Sequence, residues 1–383
     1  MIRNMNKFEK VQHMLQDLNA DGWLIFCDED NDIHSRYLLG VGSHAPHFIY
    51  VASDGKHKVL PVVMEANMIQ KSLKKKGVDA EIIPFNSLGN LVEKLKPIIN
   101  KSKIALNFGE NLFQADETRF ADYIPVGAYS ALQKMAPNTE FISAAPIIYG
   151  LRSVKSSEQL DDLRNACKAT MEILETIPDV VKVGMTEKEV MAKLEYQYFH
   201  LGKSSFPAIV ATGKHSADPH HNSSNEKIKL GPLLIDTGLI IDEMCSDITW
   251  TFWVGNNPSE EFINAYNALY EAKDYANNYY IAENPSNLPA KKCRAHLEKS
   301  GYDHEKLFFH GLGHSLGFEA HDVGPRISWK VPDSDILQEN MVYTNEPGLY
   351  WIGKWGIRLE DDVIIKKEKC EQVTNVPKDP ILI

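Results

Sequence analysis

The sequence predicts two domains of different class: a small α/β domain over residues 1–145, then an α+β domain over residues 146–383 built on an antiparallel sheet with flanking helices. Three observations predict this. Helical and strand-like periodicities alternate through the first part of the chain. Strand runs separated by turn residues dominate later parts of the second. The 383 residues, 43% of them hydrophobic, exceed one ordinary domain and can fill two cores.

The elements follow in order. Met5, Phe8, Val11, Met14, Leu15 and Leu18 recur at helical spacing over residues 5–18. Trp23-Leu24-Ile25-Phe26 is short enough for a buried strand. Phe48-Ile49-Tyr50-Val51 and Val59-Leu60-Pro61-Val62-Val63 are strands flanking the turn residues Ser53-Asp54-Gly55. A Lys-rich helix is expected over about 65–76 and another over about 88–98. The junction falls near Pro146–Lys155. Beyond it, helices are expected over 156–177 and 187–201, the first capped by Ser156 and the second opened by Thr186 with Glu189 in a capping box. Strands are expected at 208–211, 233–241 and 248–254, a long helix at 259–283 and a shorter one at 288–300, closed by Gly301. Two continuous strands, 341–352 and 356–366, complete the pattern.

Bulk composition excludes several classes. A formal net charge of −11 leaves no basic excess to neutralise phosphates, so nucleic acid is not an expected partner. No run reaches the roughly 18 to 20 apolar residues of a membrane helix. The opening Met1-Ile2-Arg3-Asn4-Met5-Asn6-Lys7 lacks an apolar leader core. Five scattered cysteines with no CxxC pair suit a reducing cytoplasm and provide no cysteine metal site.

The chemistry gathers in the second domain. Asp236 and Asp247 each interrupt an apolar strand and lie eleven residues apart. A hairpin centred between Ile241 and Asp242 sets the two carboxylates directly opposite, about 5 Å apart at Cβ. Glu346 and Glu360 repeat the arrangement around Gly353, a turn residue. Any one such acid reads more simply as a cap or a solvated strand face. Two mirrored pairs are another matter, because facing carboxylates repel unless a cation or a shared proton compensates. His310, His314 and His321 fall within twelve residues, spaced by glycines that permit close approach to a bound group, and His220 precedes the first acidic strand. An isolated histidine is usually structural; three spaced this way favour a site. Four carboxylates with one imidazole suit Mn²⁺, Co²⁺, Fe²⁺ or Zn²⁺, and two such cations would offset the four negative charges. Two metals acidify a water and hold both reacting oxygens, which points to hydrolysis at a carbonyl.

At these residues the sequence resembles the pita-bread metallopeptidases, the family of prolidases, aminopeptidase P and methionine aminopeptidases. The resemblance is carried by Ile235-Asp236-Thr237-Gly238, Ser246-Asp247-Ile248-Thr249, Gly313-His314-Ser315-Leu316-Gly317, Asn345-Glu346-Pro347-Gly348 and Gly356-Ile357-Arg358-Leu359-Glu360. It covers roughly residues 150–383, including Leu151-Arg152-Ser153-Val154-Lys155-Ser156 at the domain entry. It implies a pita-bread catalytic domain behind a creatinase-like N-terminal domain, a domain that simple methionine aminopeptidases lack. It implies Asp236, Asp247, His314, Glu346 and Glu360 as ligands of two divalent ions, Mn²⁺ first, with Co²⁺, Zn²⁺ or Fe²⁺ as alternatives. Glu346 would also be the general base. His321 would stabilise the tetrahedral intermediate, His220 and His310 would line the pocket, and Arg358 would orient carboxylates. The implied activity is cleavage of Xaa-Pro dipeptides. The alternatives are an Xaa-Pro aminopeptidase acting on longer peptides and a non-peptidase or binding member of the family. A small proline-containing peptide and a second copy of the chain are the expected partners. Two positions depart from the pattern. Trp250 stands where an arginine is usual, which removes an expected ion pair, and Glu243-Met244 replaces the usual Gly-Tyr.

Overall fold

The computed structural model describes residues 5–109 and 120–383. Of the opening heptapeptide read above, residues 1–4 lie outside the described residues. The chain divides into two compact units, Met1–Arg152 and Ser153–Ile383. The expected boundary at 145/146 falls at the start of the helix Ala145–Arg152, which packs on the first helix, Lys7–Asp17, inside the first unit.

The first unit is one sheet with helices. Its strands are β1 (Gly22–Cys27), β2 (His47–Ala52), β3 (Lys58–Pro61), β4 (Glu81–Ile82), β5 (Lys103–Leu106) and β6 (Glu140–Ser143), in the order β4-β3-β2-β1-β5-β6. β1 to β3 form an antiparallel meander, while β5 and β6 add in parallel, which requires crossover segments. β1 and β2 are buried almost throughout, as central strands covered on both faces must be. The first helix starts at Asn6, whose side chain accepts from Glu9 N while Glu9 caps Asn6 N in return. Three strands (β4, β5, β6) and the helices Ile33–Leu39, Val126–Met135 and Ala145–Arg152 are not among the elements expected from the sequence.

In the second unit the helix Glu187–Phe199 opens with the expected capping box of Thr186 and Glu189, and Ser157–Glu175 opens at the expected cap Ser156, which also forms a reciprocal box with Gln159. The strands are β7 (Lys203–Ser204), β8 (Ile209–Thr212), β9 (Gly231–Thr237), β10 (Leu239–Ile241), β11 (Met244–Cys245), β12 (Ile248–Val254), β13 (Val342–Asn345), β14 (Gly348–Trp351), β15 (Trp355–Arg358), β16 (Asp361–Ile364) and β17 (Glu371–Gln372). Every ladder among them is antiparallel. The long helix runs Glu260–Asn277, six residues short of the expected end at 283, and is followed by Asn287–Lys299. Among the described residues no helix is long and apolar enough to cross a membrane.

Two strand expectations need revision. The first hairpin turns one residue later than expected. Ile241 pairs with Met244, so the turn is Asp242-Glu243, with Asp242 at φ +54°. Asp236 therefore lies opposite Thr249, and Asp247 sits diagonally two positions away, not face to face. Because side chains alternate with period two, a shift of two keeps both acids on one face. The second hairpin turns about Gly353, at φ +80°, in the expected register. The strands expected to be continuous are instead broken, at Glu346-Pro347 and at Leu359-Glu360.

Candidate metal centre

Those two breaks place the acids. At Glu346 and Glu360 the ladder opens and each backbone takes another partner: Glu346 N donates to Leu312 O at 2.8 Å, and Glu360 N to Thr249 O at 3.0 Å. Residues 358–360 thus lie along β12. Its alternate threonines hold them there. Thr251 Oγ1 donates to Arg358 O at 2.9 Å, and Thr249 Oγ1 donates to Glu360 Oε2 at 2.5 Å. A period-two Thr-x-Thr joins the two hairpins, which are more than a hundred residues apart in sequence.

The histidine segment arrives by the same logic. Thr344 N donates to His314 O at 3.0 Å and His314 N to Thr344 Oγ1 at 3.1 Å, so residues 313–316 run against β13. The approach needs glycine: a Cβ on Gly313 would lie 2.0 Å from Thr344 O. His314 Nε2 then stands 3.5 Å from Asp247 Oδ2 and 3.4 Å from Glu346 Oε1. Asp247, His314 and Glu360 offer ligand atoms that all lie within 4.8 Å of one another. Asp236 stands outside that trio, bound through Oδ2 to Arg358 Nη2 at 2.5 Å.

The electrostatics follow from three buried carboxylates and one half-buried, Glu346, served by one nearby guanidinium. Burial, then Glu360 and Asp236, push Asp247 well above the usual carboxylate range. Burial, then Glu346 and Asp236, do the same to Glu360. Burial lifts Glu346 to about 8 against the opposing pull of Arg358. Burial, with His321 beside it, drops His314 to about 3, leaving the neutral imidazole that can ligate a metal. Asp236 Oδ1 is buried with no hydrogen-bond partner. An orphaned carboxylate oxygen, acids that resist ionisation beside one another, and a neutral imidazole together fit divalent cations.

The other expected site residues fall around this group. Arg358 is buried and forked: Nε donates to Thr249 Oγ1 at 3.1 Å, Nη1 to Pro219 O and to Tyr350 Oη, both at 3.2 Å. Tyr350 Oη lies 2.9 Å from His310 Nε2, and His310 Nδ1 lies 2.8 Å from Gly311 O. Tyr350 accepts from Arg358, so it donates to Nε2, and Nδ1–H donates to the carbonyl. Both nitrogens of His310 are thereby taken, and burial drops it to about 3. His321 is exposed, its ring 4.0 Å from that of His314. His220 is exposed, its backbone N donating to Asp218 Oδ1. Trp250 is buried on the face of β12 opposite Thr249 and Thr251, and its Nε1 has no partner. Sequence reading passed over Thr249, Thr251, Thr344 and Tyr350. Only the Thr-x-Thr alternation carried a local signal.

Residues 161–367 match the model of metallopeptidase family M24, and residues 7–154 match that of the creatinase/prolidase N-terminal domain. The chain belongs to metallopeptidase family M24. Its second unit is accordingly the pita-bread domain, and its first the creatinase-like one. Among M24 relatives, the Xaa-Pro dipeptidase of Pyrococcus horikoshii is 33% identical over 267 residues, 67% of this chain and 73% of that one. The solved X-Pro aminopeptidase of Thermotoga maritima superposes with a TM-score of 0.83 at 27% identity, covering 97% of this chain and 100% of its own. The Xaa-Pro dipeptidase of Bacillus anthracis gives 0.83 at 26%, covering 98% and 99%. This M24 chain is a metallopeptidase.

Proposed function

We propose that the protein is a dinuclear Xaa-Pro peptidase of the prolidase kind, taking dipeptides ending in proline. The observation that carries the metal reading is the group of buried Asp247 and Glu360 with half-buried His314, with Glu346 3.4 Å from His314 and Asp236 carrying an unpartnered oxygen. The proline preference rests on the dipeptidase and aminopeptidase relatives. Asp236, Asp247, His314, Glu346 and Glu360 would hold two divalent ions, Mn²⁺ first. Such ions polarise the scissile carbonyl and lower the pKa of the attacking water.

The chain's own groups do the rest. Glu346, half-buried and lifted toward neutrality, takes the proton of the attacking water and returns it to the departing proline nitrogen. Thr344 Oγ1 donates to Glu346 Oε1 at 3.2 Å and fixes its rotamer. His321, ring against His314, donates to the oxyanion that develops on the carbonyl. Arg358 anchors Asp236 and, through Tyr350, fixes His310 as a neutral wall of the pocket. His220 lines the pocket with it. The working state would be a cytoplasmic homodimer. The second reading, an Xaa-Pro aminopeptidase, is favoured by the Thermotoga maritima neighbour.

A panel of Xaa-Pro and Xaa-Pro-Xaa peptides, assayed during metal titration, separates the two. Preference for the dipeptides supports the prolidase reading. Preference for the longer peptides gives the aminopeptidase. No metal-dependent cleavage of either overturns both.

A further inference from the structure

A second cluster lies in the same unit, apart from the acids above. Glu187 belongs to the first turn of the helix Glu187–Phe199, and its side chain is wholly buried. It accepts five hydrogen bonds. Oε1 takes Thr212 N at 3.0 Å and His215 Nδ1 at 2.9 Å; Oε2 takes His221 Nε2 at 2.8 Å, Ser224 N at 2.9 Å and Ser224 Oγ at 2.6 Å. These donors come from both ends of one loop, residues 212–224. The middle of that loop reaches the catalytic hairpin. Ser216 Oγ accepts from Gly356 N at 2.9 Å, Pro219 O accepts from Arg358 Nη1 at 3.2 Å, and His220 follows.

Three of the cluster's groups, Glu187, His215 and His221, also have the composition of a metal site. The geometry argues otherwise. The imidazole planes are tilted 31° with centroids 4.3 Å apart, and each facing ring nitrogen is already hydrogen-bonded to a carboxylate oxygen, His215 Nδ1 to Oε1 and His221 Nε2 to Oε2. Both carboxylate oxygens are already occupied by donors.

We infer that Glu187, His215 and His221 are positioning residues: a carboxylate knot that closes loop 212–224 and thereby sets the Pro219 carbonyl against Arg358 and fixes the place of the adjoining His220. The inference deepens the reading under Proposed function and rests on it for the role of His220. A loop whose binding-competent form is only partly populated weakens apparent substrate affinity by that fraction. Loosening the knot therefore raises KM and spares kcat.

The test uses paired substitutions in the metal-loaded full chain. In His215→Asn and His221→Gln an amide nitrogen replaces the donating ring nitrogen; in His215→Ala and His221→Ala no donor remains. The alanine variants should raise KM for Ala-Pro about tenfold, the scale of one charge-assisted hydrogen bond, with kcat within about twofold. They should also speed backbone hydrogen exchange in residues 213–223, while the amide variants stay near wild type in both. Unchanged exchange and KM in the alanine variants overturn the inference. So does loss of a metal equivalent, which makes the histidines ligands, and so does equal failure of alanine and amide variants, which makes the imidazoles act directly. If wild type cleaves no Xaa-Pro peptide, the functional reading falls, and hydrogen exchange alone still decides the knot.

Discussion

Arg358 donates from Nη2 to Asp236 Oδ2 at 2.5 Å, while Asp236 Oδ1 is buried with no hydrogen-bond partner. One oxygen is thus fixed by the chain and the other is left for a ligand. Removing the guanidinium strands a buried carboxylate and three acceptors, Thr249 Oγ1, Pro219 O and Tyr350 Oη. Arg358→Ala should destabilise the metal-free protein by about 3–5 kcal/mol, as breaking a buried pair does. It should weaken metal binding by about 10- to 100-fold, the scale for a group that orients a ligand. Arg358→Lys should recover part of the stability but not the fork. Denaturant titration and metal titration check both; an Arg358→Ala variant with wild-type stability and affinity would show that Asp236 needs no such anchor.

Stability should depend on pH differently with and without metal. In the metal-free protein burial lifts Glu346 from 4.5 to about 8, and Asp247 and Glu360 shift the same way. A raised carboxyl contributes stability that is present below its unfolded pKa and is lost as pH rises through the folded one. The melting temperature of chelator-treated protein should fall from about pH 5 to pH 8, relative to metal-loaded protein. Scanning fluorimetry across that range reads the gap, and a gap that stays constant with pH contradicts the assignment.

Glu187 should titrate with the opposite sign. Burial alone would raise it, but Ser224, Thr212, His221 and His215 together hold it down, to about 2 from 4.5. Its stabilising contribution is present above its unfolded pKa and is lost as pH falls from about 4.5 through about 2. Glu187→Gln should cost about 1–3 kcal/mol at pH 7, with the difference from wild type shrinking below pH 4.5. Chemical unfolding at several pH values measures this; a difference independent of pH removes the ionised carboxylate from the explanation.

Trp250 presents a buried N–H with no acceptor. A buried, unpaired donor costs about 1–3 kcal/mol, which offsets part of what the ring's burial contributes. Trp250→Phe should therefore be nearly neutral in stability and leave turnover intact, since the ring faces away from Thr249 and Glu360. Trp250→Ala should cost about 3–5 kcal/mol. A severe loss in the phenylalanine variant would mean the indole nitrogen does have a partner in solution.

What was legible in the sequence depended on distance along the chain. The Glu346–Glu360 register was readable because Gly353 marks its midpoint. The Asp236–Asp247 register was misjudged by two because the turn was set at Ile241-Asp242, where Asp242-Glu243 makes it; alternation preserved the face. The breaks at Glu346 and Glu360 were invisible, since they depend on Leu312 and Thr249 taking over the backbone bonds. Glu187 was hidden by its own neighbours: Thr186 and Glu189 account for that helix start completely, and nothing local calls for another buried acid.

The central claim is that these acids and His314 hold the metals on which Xaa-Pro cleavage depends. The most direct measurement is Ala-Pro hydrolysis by chelator-stripped protein during Mn²⁺ titration, in wild type and in Asp247→Asn. Activity in wild type should return and saturate at two equivalents per chain, while Asp247→Asn stays inactive with its fold intact. Turnover in the stripped enzyme, or full activity in Asp247→Asn, would contradict the account.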